Sequence, residues 1–309
     1  MMLMLWNAPS GPFSTSNGLL LDELAEAMCA TNPSDMDLQR ADGCGRLVLS
    51  DSTNGTRIEE IFERSPIRLM FPGTKRSSVE EAVIINTAGG IAGGDRIECS
   101  IAALPGASIS ITTQAAERVY RALYDPARVT TRLKARECAR LAWLPQETII
   151  FNRARLHRAT EIEVFCEAEL IAIECLVLGR LAHGEAVLGG SVIDTWRVKK
   201  DDRLIWADSF RVTDEIFPHL KRESLLSDCA AIATLVYFGP NPNERLEFLR
   251  DLVSSLECYG AATLVNGLIV SRFAAKQPSE LKVALRTLLR QFGRELGSGP
   301  FRVPKMWSC

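Results

Sequence analysis

From about residue 45 the chain breaks into short runs in which apolar and polar positions alternate with period two, or in which Val, Ile, Thr and aromatic residues dominate. Gly, Pro, Asn or Asp bounds each run, which is the pattern of half-buried strands joined by tight turns. It predicts strands over 46–49, 67–71, 82–86, 96–101, 108–113, 129–134, 141–144, 148–151, 161–166, 170–178, 192–198 and 204–212. No helical period separates them, so the expected body is mainly β, with stacked antiparallel or solenoid-like (β-helix-like) sheets rather than β-α-β units.

The period changes in the last third. After a strand expected over 230–238, Asn241-Pro242 offers an N-cap and a first-turn proline, and Leu246, Leu249, Val253 and Leu256 recur at helical spacing. Asn266-Gly267 lies between strand-like runs over 261–265 and 268–273 and predicts a hairpin. A second helix is expected from Pro278, with Leu281, Leu285, Leu288, Leu289, Phe292 and Leu296 on one stripe and Gly297-Ser298-Gly299-Pro300 ending it. Residues 1–43, where Pro9, Pro12 and Pro33 surround one expected helix over 19–30, are set apart as an N-terminal extension, and 44–309 forms the body.

Gly89, Gly90, Gly93 and Gly94 stand between two expected strands, just ahead of Asp95. A phosphate loop would need Lys and then Ser or Thr after its last glycine, and a dinucleotide loop would need G-x-G-x-x-G opening a helix. Neither is present, and residues 95–101 alternate as a strand. The glycines are therefore expected to shape a turn that presents Asp95.

Composition narrows the partners. The 309 residues carry a net charge of -2, so no global basic field recruits nucleic acid or an anionic membrane. Nine cysteines are scattered singly without a C-x-x-C pair, as expected for reduced thiols in a cytoplasm. The apolar opening at residues 1–6 lacks a basic flank and stops at Pro9, so neither a signal nor a membrane helix is expected.

Catalytic patterns are missing. His157, His183 and His219 stand far apart, which argues against a tight metal site, and no G-x-S-x-G elbow occurs. Glu147, Glu174 and Glu185 could be drafted as a hydrolytic acid pair, but nothing in the sequence brings two of them together. Glu174 lies in a run, 170–178, that is otherwise apolar on both faces, so it needs a partner or a wet cavity. Arg180 is the expected counter-ion and Glu185 a second acid, with a structural salt bridge as the alternative. Gln114, Arg118, Tyr120 and Arg121 follow a strand and are of types suited to partner contact or to a plain solvated loop.

Taken in order, several segments carry a resemblance: Gly-Gly…Gly-Gly-Asp at 89–95, Thr-Thr-Gln-Ala-Ala…Val-Tyr-Arg at 112–121, Trp-Leu-Pro-Gln-Glu-Thr-Ile-Ile-Phe at 143–151, Gly-Arg-x-Ala-x-Gly-Glu at 179–185, Asp-x-Trp-Arg-Val at 194–198, and Pro-x-x-Trp at 304–307. With these the chain resembles the urease accessory protein UreD family, also called UreH, from about residue 45 to its C-terminus. Glu117-Arg118 departs from the Thr-Lys of many relatives.

The resemblance implies a solenoid-like β fold with two helices and a non-catalytic role: binding apo-urease and, with UreF and through it the GTPase UreG, assisting nickel insertion. It implies no tightly bound cofactor but a transient Ni²⁺ passage, for which Asp95, Glu147, Glu174, Arg180 and Glu185 are the candidate residues. Two other classes stay open, a free-standing nickel-binding protein and a β-solenoid hydrolase.

Overall fold

A computed structural model describes residues 39–72, 79–180, 184–297 and 299–308. The helix expected over 19–30, and His183, lie outside the described residues.

The first strands are β1 (Asp42–Ser50), β2 (Arg57–Arg64), β3 (Ile67–Met70), β4 (Glu81–Asn86), β5 (Arg96–Ala103) and β6 (Ser108–Thr113). The middle of the chain forms β7 (Glu117–Val119), β8 (Ala127–Ala135), β9 (Arg140–Trp143), β10 (Thr148–Ile150), β11 (Arg155–Val164) and β12 (Glu169–Leu178). Then come β13 (Ser191–Lys200), β14 (Arg203–Val212), β15 (Ala231–Phe238), helix α1 (Pro242–Ser254), the hairpin β16 (Tyr259–Val265) and β17 (Leu268–Ala275), and helix α2 (Pro278–Glu295).

These strands build two sheets. One has seven strands in the order β14-β13-β11-β8-β5-β1-β2, and the other has ten, with β16-β17-β15-β12-β9-β6-β4-β3 as its main path. Between β4 and β13 the chain passes back and forth between the sheets, adding parallel neighbours: β5, β8, β11 and β13 to one sheet, and β6, β9 and β12 to the other. Each return lays one more coil on the last, which is the solenoid-like one of the two arrangements that the strand spacing allowed and the one that the resemblance implied. The ends of both sheets are antiparallel, through β1·β2, β13·β14, β3·β4 and β16·β17.

Two apolar layers follow from this stacking. Inward positions of both sheets, among them Leu47, Ile101, Ile109, Leu133, Leu141 and Ile162, fill the space between them. The other face of the ten-stranded sheet is covered by α1 and α2, whose Leu249, Leu285, Leu288 and Phe292 pack on Ile171, Ile173 and Leu235. Fully burying a side chain of this size is worth about 1.5–3 kcal/mol, enough for the helical stripe to hold each helix down. Strand β12 is therefore buried on both faces, with Leu170, Ala172, Leu176 and Leu178 toward the other sheet and Ile171, Ile173, Cys175 and Val177 toward the helices.

Some expectations need adjusting. Strand β1 begins at Asp42, inside the stretch set apart as the extension. Strand β2 had no counterpart among the expected runs because, at the sheet edge, none of its residues is fully buried and its sequence does not alternate. Asn241 sits at the start of α1 but takes a left-handed φ of 53° and makes no side-chain cap bond. Helix α2 has a reciprocal cap instead, between Gln277 and Glu280.

Candidate functional site

Alternation along β12 sends Glu174 to the side of Leu170, Ala172, Leu176 and Leu178, into the space between the sheets. Facing it is Arg158, an inward position of β11, and beside Arg158 in register on β13 lies Asp194. Relative exposures of 4%, 6% and 5% for Arg158, Glu174 and Asp194 make this a buried ionic cluster rather than a surface pair. Arg158 grips Asp194 with two parallel bonds, Nε to Oδ1 at 2.9 Å and Nη2 to Oδ2 at 2.8 Å. Its Nη1 donates to Glu174 Oε2 at 2.7 Å and to Thr148 Oγ1 at 3.2 Å. Trp143 on β9 completes the set by donating its indole N–H to Glu174 Oε1 at 2.9 Å.

One guanidinium thus faces two carboxylates. Burial pushes the Glu174 carboxyl above its ordinary range; Arg158 opposes that shift and Asp194 adds to it. Burial also works against the charge on Arg158, but Asp194 and Glu174 overcome it and hold the guanidinium protonated. Two carboxylates share one guanidinium, so the cluster is short of one positive charge and favours either a proton on Glu174 or a cation beside it.

Open space lies on both sides of Glu174. A cavity of about 260 Å³ is lined by Glu174 and Arg158 at its inner end, by Trp143 and Thr131, and by Gln114 and Arg118 toward the surface. A second cavity, of about 410 Å³, is lined by Glu174, Asp194, Thr234, Tyr259 and Arg272. The first also contains Glu117, on β7, whose carboxyl is pushed up to about 6 by burial against the pull of its hydrogen bonds from Asn86 Nδ2. Gln146, buried on the wall of the same cavity, has a side-chain N–H group with no hydrogen-bond partner among the described residues. An unpaired buried donor there favours a polar occupant.

A family model described as UreD urease accessory protein matches residues 41–308. The chain belongs to the UreD family. A urease accessory protein UreD of Rhizobium johnstonii is 40% identical over 270 residues, covering 87% of this chain and 96% of the relative. UreD proteins of Xanthobacter autotrophicus, at 38% over 87% of this chain and 91% of the relative, and of Mesorhizobium japonicum, at 36% over 87% of this chain and 95% of the relative, are similar as well. UreD is a family of accessory proteins, so the chain is not an enzyme and takes part in urease maturation.

Within this UreD fold the acids singled out from the sequence do not converge. Glu174 lines both cavities, whereas Glu147 points to the helix side and meets Lys282 of α2 at 3.6 Å. Asp95, 6% exposed, closes the glycine loop, its two oxygens accepting the N–H groups of Ala41 at 2.9 Å and Ala92 at 2.7 Å. The glycines of that loop do shape backbone: Gly90 has φ 152°, and a Cβ there would run into the Tyr120 ring. Tyr120 donates its hydroxyl to Gly89 O at 2.8 Å. Gln114, Arg118 and Arg121 are exposed beside it, Gln114 and Arg118 on the rim of the first cavity.

The expected pairing of Glu174 with Arg180 is incorrect. Arg180 follows Gly179, whose φ of 84° turns the chain away after β12, and its Nε binds Glu185 Oε2 at 2.6 Å at the surface. The residue that does balance Glu174, Arg158, went unnoticed because the strand carrying it was expected to begin at 161, while β11 begins at Arg155. An inward arginine in an otherwise alternating run was the available signal. Asp194 and Trp143 opened recognised family motifs, but neither motif revealed that they share a carboxylate cluster.

Proposed function

We propose that this chain is a nickel-insertion scaffold: in the cytoplasm it binds the urease apoprotein and, with UreF and through it UreG, passes Ni²⁺ toward the urease active site. The observation that carries this reading is that Glu174 lines a cavity on each side of one buried cluster in which two carboxylates share a single guanidinium. Ni²⁺ is held firmly by imidazole and thiolate and more weakly by carboxylate, and a complete cage would trap it. Among the described residues no three of His, Cys, Asp and Glu group closely enough to make such a cage. Glu117 and the Glu174–Asp194 cluster offer instead two weak stations, one on the wall of the first cavity and one between the two cavities, and multi-site weak binding is what transit demands. For a cation to cross, Arg158 must swing off Glu174, so in this reading the ion pair is the point of control.

The test is co-expression with the urease subunits and accessory proteins, comparing the native chain with Glu174→Gln. The expected result is a complex that still assembles with UreF and urease while the nickel content of urease drops several-fold. Full nickel loading with an intact complex would remove the passage reading. Urease that matures normally without the chain, and forms no complex with it, would remove the scaffold reading as well.

A further inference from the structure

The outer face of the seven-stranded sheet is a ladder of charges, most of them compensated. Arg132 is bonded to Glu98 and Glu161, Lys134 to Glu163, and Arg46 to Glu60. The row nearest the start of the parallel strands differs. There Arg96 on β5 is in register with Arg128 on β8, Arg128 with His157 on β11, His157 with Ile193 on β13, and Ile193 with Arg211 on β14. All three arginines are exposed, and none has an ion pair among the described residues. Asp42, the next register position beyond Arg96, is bonded to Arg64 at 2.8 Å.

The imidazole of His157 reports the field of this row. Its pKa is lowered by burial and then by Arg128 and Arg211, with no carboxylate acting against them. Two residues further along, the next row runs Glu98, Thr130, Ala159, Thr195 and Ser209, which offers three hydroxyls and one carboxylate, Glu98, already neutralised by Arg132. The floor is thus three exposed arginines, with His157 and Ile193 between Arg128 and Arg211, beside a row that offers three hydroxyls.

We propose that this row is a docking site for an acidic, extended segment of a partner protein, whose carboxylates meet Arg96, Arg128 and Arg211 while its backbone lies against the hydroxyls. Length is the first argument. Four inter-strand steps of ~4.8 Å make the row about 19 Å long, the reach of roughly six extended residues at ~3.3 Å each. Shape is the second: the cations are strung in a line instead of converging, which suits a polymer of carboxylates better than a single phosphate held in a nest. Chemistry is the third, because the row holds no Phe, Tyr or Trp on which successive nucleic-acid bases would stack. The site lies on the outer face, so it is independent of the passage between the sheets.

Fluorescence anisotropy of a labelled hexaglutamate peptide against the full chain at low salt tests it, with hexaglutamine as the neutral control and unlabelled tripolyphosphate as competitor. Arg128→Gln with Arg211→Gln should weaken hexaglutamate binding about tenfold or more, whereas Arg132→Gln with Arg46→Gln in the compensated row should change it less than about threefold. All four positions are exposed, and unchanged thermal midpoints would show that folding is unaffected. Absence of hexaglutamate binding, equal loss in both double variants, or displacement by tripolyphosphate at concentrations well below those of unlabelled peptide would each overturn the proposal.

Discussion

Arg158 reaches across the gap between the two sheets to place Nη1 2.7 Å from Glu174 Oε2, while its other two nitrogens stay on Asp194 of the neighbouring strand. The guanidinium is thereby a buried cross-link between the layers, whereas the Arg272–Asp208 ion pair joins them nearer the surface. Removing it leaves two buried carboxylates without a counter-charge, and breaking a buried pair in this way costs about 3–5 kcal/mol. Arg158→Met is expected to lose stability of that order in urea titration. Adding Glu174→Gln and Asp194→Asn should recover much of the loss, because neutral amides leave no uncompensated charge behind.

The cavity acid Glu117 gives the protein a pH signature. Its carboxyl titrates at about 6 in the folded chain against an ordinary 4.5, so the folded state holds the proton more tightly than the unfolded one. The stability this contributes is complete below pH 4.5 and is lost as pH rises through 6, a total of about 2 kcal/mol. Glu117→Gln cannot ionise, so relative to the native chain it should gain stability between pH 4.5 and 6. Urea midpoints measured across pH 4 to 7 would show the difference, and parallel curves would contradict the assignment.

Gly293 sits inside α2, where alanine would ordinarily be the better residue by about 1 kcal/mol. Here a Cβ would strike the backbone carbonyl of Phe301, which packs against that turn of the helix. Gly293→Ala is therefore expected to destabilise rather than stabilise, by about 1–3 kcal/mol. Faster hydrogen exchange in the segment after α2 is the companion observation to look for.

Thiol chemistry separates the cysteines by position. Burial pushes Cys99 and Cys175 up to about 12, and both are shielded from solvent. Cys138 and Cys166 are exposed. At pH 8 iodoacetamide should label Cys166 readily and Cys138 more slowly, since a hydrogen bond to the Glu167 carboxylate raises the Cys138 thiol. Peptide mass spectrometry of the folded chain should find Cys99 and Cys175 unmodified until denaturant is added.

Much of the scaffold was legible along the chain because alternation is a local property. Runs such as 192–198 and the helical stripe from Leu281 to Leu296 declare which side they bury without reference to anything distant. Glu174 too was marked, since a carboxylate in an apolar strand has to be answered by something. What answers it was not legible, and the nearest arginine in sequence was the wrong one. Arg180 is six residues away but turned outward by Gly179, whereas Arg158 is sixteen residues away and inward on the facing sheet. The row formed by Arg96, Arg128, His157 and Arg211 was equally hidden, because each member lies on a different strand.

The sequence by itself determined the class of fold, the two C-terminal helices and the resemblance to UreD, all of which rest on periodicity and on motifs read within a few residues. Tertiary structure alone decided that Glu174, Arg158 and Asp194 form one cluster with a cavity on either side, and that Glu147, Asp95 and Glu185 stand apart from it. The physical reason is register. In a solenoid the neighbours of a side chain come from other coils, so which charges meet is fixed by how far each coil advances before it stacks, a quantity that no single strand contains.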